Sequence, residues 1–147
     1  HIDLNSAQIL ELLHRARNWF SKHDLPTPDF YVPPAWALGP IRKTDLAAAP
    51  YQQIEITRGI LFLERPHPHA SARIHLERLP LTGYEADTPA RAFFLRRWNA
   101  AQWHTASQRD RTLRISIHPQ DLELRLADQL ADQIKAVDTF EPNLNQR

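Results

Sequence analysis

Two neighbouring stretches, QQIEITRGILFLER and ARIHLERL, alternate apolar and polar residues between positions 52 and 79. Successive strand side chains point to opposite faces, so a period of two marks half-buried strands and not a helix. A two-residue turn at Arg58-Gly59 would pair Ile56 with Leu61 and Ile54 with Leu63, gathering four aliphatic side chains on one face and sending Glu55 and Glu64 to the other. Ile74 and Leu76 add to the aliphatic face from a third strand, while Arg73, His75 and Glu77 point away. The stretch therefore predicts a three-stranded meander.

Helical spacing flanks it. Ile9, Leu12, Leu13, Ala16, Trp19 and Phe20 recur on one helical face, Asn5 with Gln8 resembles a capping box with Ser6 as the other candidate cap, and Leu25-Pro26 ends the run, so a helix is predicted over 6–22. Residues 25–50 carry prolines at 26, 28, 33, 34, 40 and 50, which leave no room for a long regular element. Phe30, Tyr31, Val32, Trp36, Leu38 and Ile41 make the segment too apolar for a free linker, and an ordered wrap is expected, with a short strand at 30–32. Tyr84 falls in a Gly-containing turn. A second helix follows, capped by Thr88 with Pro89 in its first turn and an apolar stripe of Ala90, Phe94, Trp98 and Ala101. Phe93 and Trp103 lie off that stripe.

TLRISI and LELRLA read as a second hairpin around His118 to Asp121, bringing Leu113, Ile115, Ile117, Leu122, Leu124 and Leu126 to one face, in preference to one helix from Pro119 that would put Glu123 in its apolar stripe. Arg114 then sits opposite Arg125, a mildly unfavourable pair. A closing helix is expected from about Asp128, with Leu130, Ile134 and Val137 toward the core. The order α-β-β-β-α-β-β-α implies an α+β fold, an antiparallel sheet of about five strands with helices on one face. One domain over 1–147 is expected: the N-terminal helix at 6–22, the wrap at 25–50, sheet and helices at 51–140, and a frayed tail at 141–147. With 42% hydrophobic and 24% charged residues, a chain of 147 is long enough for one core.

There is no cysteine, so disulfides, thiolate metal sites and a cysteine nucleophile are excluded. No apolar run approaches the roughly 20 residues that span a bilayer. A soluble, cytoplasmic protein without a membrane partner is expected.

Three of the eight histidines fall in RPHPHASARIH. His67, His69 and His75 with Glu64 or Glu77 have the donor types of a divalent metal site, which would make the chain a metal-dependent hydrolase or nuclease. The plainer alternative is a proline-stiffened connection with solvated histidines. Phosphate-cradling, nucleophile-elbow and dinucleotide motifs are absent.

Between Arg73 and Arg114 eight arginines face four acidic residues, a net +4. Arg91, Arg96, Arg97 and Trp103 on the second helix, followed by Arg109 and Arg111, are the candidate partner-binding residues. The leading expectation is a non-enzymatic binding or assembly module without a cofactor. Its partner is expected to be a protein or a second copy of the chain, with nucleic acid as the other class.

Overall fold

In the computed structural model, which describes residues 3–65, 72–108 and 111–138, helix α1 (Ser6–Lys22) opens on a reciprocal cap. The Gln8 N–H donates to Asn5 Oδ1 at 3.0 Å, and the Asn5 N–H donates to Gln8 Oε1 at 2.9 Å. Both donors would otherwise lack a partner at the helix start. At the far end Asp24 takes a left-handed backbone (φ 55°), and the Leu25 N–H reaches back to the Phe20 carbonyl at 3.0 Å. This Schellman-type stop ends α1 at the predicted boundary.

Two compact units divide the α+β chain, 1–79 and 80–147. In the first, strands β1 (Phe30–Tyr31), β2 (Gln53–Ile56), β3 (Gly59–Glu64) and β4 (Arg73–Arg78) form a mixed sheet in that order. β1 runs parallel to β2, and the remaining pairs are antiparallel. The meander and the short strand near Phe30 are thus present. The first hairpin differs in register by two residues: Ile54 lies opposite Leu61 and Ile56 opposite Gly59, so Thr57 and Arg58 make the turn. A shift of two leaves every side chain on its face. Gly59 is needed in the ladder itself, because its φ is 153° and an added Cβ would stand 1.9 Å from the Glu77 carbonyl oxygen.

Ile9 and Leu13 of α1 bury against Ile54 and Leu63, with Ala49 and Tyr51 completing the core. Each buried aliphatic side chain contributes about 1.5–3 kcal/mol by leaving water. The proline-rich wrap packs on this core through Tyr31, Leu38 and Ile41, and its helix α2 (Lys43–Ala47) inserts Leu46. Ser6 joins wrap to helix, donating to Asp45 Oδ2 at 2.5 Å and accepting the Arg42 N–H at 2.7 Å. The Arg65 guanidinium donates to the carbonyls of Ala47, Ala49 and Tyr51, which fixes the chain at the end of β3.

The second unit holds β5 (Leu81–Gly83), α3 (Pro89–Gln108), β6 (Arg114–Ser116) and α4 (Ala127–Asp138). β5 and β6 form a separate two-stranded parallel sheet. The expected second hairpin is therefore corrected: β6 pairs with the segment before Tyr84, which the sequence pattern assigns to a turn. Residues 121–123 form a short 3-10 turn, with Ile117 and Leu122 exposed and Leu126 fully buried. The cause is local. Asp121 Oδ2 accepts the His118 N–H at 2.8 Å while the Asp121 N–H donates to the His118 carbonyl at 3.0 Å, a tight turn that carries the chain off the strand path. Arg125 consequently lies away from any ladder, its Nε donating to the Asp87 carbonyl at 3.3 Å. Tyr84, Ala86, Leu126 and Leu130 form the core with Ala92, Leu95 and Ile115. Leu130 of α4 faces this core as expected, whereas Ile134 and Val137 are exposed.

Candidate partner-binding surface

Helix α3 is capped by Thr88, whose Oγ1 accepts the Arg91 N–H at 3.3 Å. Its inward face sets Asn99 and Gln102 among Ala92, Leu95 and Ala106, and the apolar stripe expected there lies elsewhere. Asn99 is fully buried; its Oδ1 accepts the Gly83 N–H at 3.1 Å and its Nδ2 donates to the Gly83 carbonyl at 2.8 Å. Gln102 Oε1 accepts the Leu81 N–H at 3.3 Å, and Trp98 Nε1 donates to the Leu81 carbonyl at 3.0 Å. Side chains of α3 thus do for one edge of β5 what a neighbouring strand would do, satisfying backbone groups that would otherwise be costly to bury.

Turning Asn99 and Gln102 inward turns the predicted stripe outward. Phe93, Phe94 and Trp98 are 58%, 69% and 50% exposed, too much for core residues, and Ala90 and Ala101 are exposed with them. At about 100° per residue, Ala90, Phe93, Phe94, Arg97, Ala101 and His104 share one side of α3, with Trp98 at its margin. Phe93 and Phe94 meet edge to face with ring centroids 5.6 Å apart, and the Arg97 guanidinium lies 5.6 Å from the Phe93 ring. Each contact holds a side chain in place without removing it from the surface.

The candidate arginines do not form one face. Relative to Arg91, Arg96 is turned by about 140° and Arg97 by about 240° around the helix. Arg91 lies 3.7 Å from both Glu85 and Asp87. Arg96 donates to Asp128 at 2.9 and 3.0 Å, and this holds the Asp128 carboxyl below the ordinary carboxylate range. Among the described residues Arg97 pairs with no carboxylate. Trp103 and Arg111 lie elsewhere, lining a groove of about 420 Å³ with Ala106, Leu113, Ile115 and Val137. Arg109 lies outside the described residues.

Of the candidate metal ligands, His67 and His69 also lie outside the described residues. Glu64, His75 and Glu77 share the outer face of the first sheet, His75 opposite Phe62 and Glu64 opposite Arg73. Glu77 stands four residues along β4 from the Glu64 row, about 13 Å at strand rise, so one ion does not reach both carboxylates. No group of three potential ligands gathers among the described residues.

One polar cluster is invisible in the sequence spacing. The Tyr84 hydroxyl lies 3.1 Å from Thr82 Oγ1 and also bonds Gln133 Oε1, and burial raises the phenol above its ordinary value. Nearby Asp121 is fully buried, with Oδ2 3.6 Å from His118 Nδ1. Among the described residues no hydroxyl is hydrogen-bonded to the His118 ring, so a nucleophile and base do not meet there. The Asp121 carboxylate instead shapes the turn at 118–121 by accepting the His118 amide.

No family, curated protein or solved structure matches the chain. Among the described residues no helix is long and apolar enough to cross a membrane.

Proposed function

We propose that this chain is a non-enzymatic binding or assembly module, and that it holds a protein partner on the outward face of α3. The observation that carries this is the exposure of Phe93 and Phe94 beside Arg97 on one helix face, with Trp98 half-exposed at its margin. Contiguous exposed aromatic surface is costly in water, and aromatic and arginine side chains dominate the centres of protein interfaces. A nucleic-acid partner has less support, because Arg91 and Arg96 are already engaged by carboxylates and phosphate binding draws on several unengaged cations. The cysteine-free composition suits a cytoplasmic setting.

The test is purification of the full chain from its own cells, with Phe93→Ala/Phe94→Ala compared against the parent at equal thermal stability. A protein retained by the parent at stoichiometric level and lost from the double variant supports the α3 face. If every retained protein survives the double substitution, α3 is not the contact.

A further inference from the structure

Resting on that reading, we propose that the element received by the α3 face is an amphipathic helix of a protein partner bearing a carboxylate opposite Arg97. Three observations lead there. First, α3 has all its backbone groups inside a helix and offers no strand edge, so a partner gains nothing here by main-chain pairing. An extended peptide laid over Phe93, Phe94 and Trp98 would leave its own amides facing aromatic carbon, at a cost a helix avoids by bonding internally. Second, the face runs from Ala90 to His104, about 21 Å at helical rise, with small residues, Ala90 and Ala101, on either side of the Phe93, Phe94 and Arg97 ridge. Ala90 and Ala101 leave room beside the aromatic ridge for a second helix to approach.

Third, α3 contains no acidic residue at any of its 20 positions. Arg91 and Arg96 draw their carboxylates from Glu85, Asp87 and Asp128, outside the helix. Arg97 alone stands on the aromatic face, and covering that face with an apolar partner would bury its charge without a counter-ion. A carboxylate on the partner relieves this. A second copy of the chain does not, because two α3 helices packed face to face about a two-fold axis would bring together arginine faces that lack any acid. Single-stranded nucleic acid would find aromatic platforms but needs a row of cations along its backbone, and this face presents Arg97 with only His104 beside it.

The experiment uses the full chain and three fluorescein-labelled probes read by anisotropy: an 18-residue helical peptide with a leucine stripe flanked by glutamates, the same peptide with lysines for glutamates, and a 15-nucleotide oligothymidine. The glutamate peptide is expected to bind at least tenfold tighter than the lysine peptide. Arg97→Glu should reverse that order, Arg97→Lys should keep it, and Phe94→Ala should weaken both peptides. Equal binding of the two peptides, or a preference unchanged by Arg97→Glu, overturns the acidic helix. Tighter binding of the oligothymidine overturns it in favour of nucleic acid. Loss of the native partner on Phe93→Ala/Phe94→Ala alongside no peptide preference would leave the α3 face standing and remove only the acidic helix.

Discussion

Asn99 and Gly83 are joined by two hydrogen bonds, the Gly83 amide donating at 3.1 Å and the Asn99 side chain returning one at 2.8 Å. The pair decides which way α3 faces. Removing the Asn99 amide while leaving Gly83 in place strands a donor and an acceptor, each unsatisfied group costing about 1–3 kcal/mol. Asn99→Leu, though more apolar, is therefore expected to destabilise the second unit by about 2–4 kcal/mol. Hydrogen exchange at the Gly83 amide, measured beside the thermal midpoint, checks both parts of this.

Asp45 predicts an acid dependence in the first unit. The Ser6 hydroxyl, then Arg42, hold its carboxyl below the ordinary range. A folded-state pKa lower than the unfolded one means that the contribution is fully present above the unfolded value, about 3.9, and is lost as pH falls through the folded value. The stability difference between the parent and Asp45→Asn should stay constant from pH 7 to 5 and shrink below pH 4. Denaturant unfolding followed at several pH values reads it directly.

Gly59 and Gly83 should respond very differently to the same change. A methyl group at Gly59 meets the Glu77 carbonyl oxygen at 1.9 Å with φ at 153°, whereas at Gly83 nothing lies within 4 Å. Gly59→Ala should destabilise by more than about 1 kcal/mol, and Gly83→Ala should change the unfolding midpoint little. Equal effects would place the β3–β4 approach elsewhere.

The first unit was legible where its chemistry is local or periodic. The Asn5 and Gln8 cap, the alternation of Ile54, Ile56, Leu61 and Leu63, and the packing of Tyr31, Leu38 and Ile41 follow from residue type and spacing. A turn placed one step late at Gly59 left the faces right and the register wrong, because the glycine serves the β4 approach rather than the turn. In the second unit the same reasoning turned α3 the wrong way. Phe94 and Trp98 have the spacing of a buried stripe, yet Asn99 and Gln102 take the inward positions because β5 needs hydrogen-bond partners that only the tertiary arrangement makes evident. Likewise, the leucines at 122–126 have the alternation of a strand, and the Asp121 side chain overrides it by bonding the His118 amide. The candidate arginines were visible as a charge cluster, but their separation around the helix and their carboxylate partners were not.

The outward direction of Phe94 is tested most directly by thiol labelling, which a chain without cysteine allows at single introduced sites. Phe94→Cys should react with a small maleimide under native conditions at close to the rate of an unfolded control, and Ala106→Cys, buried on the opposite side of α3, should be slower by at least tenfold. Protection at position 94 together with rapid reaction at 106 would mean that the aromatic stripe is buried after all, and the partner surface would not exist.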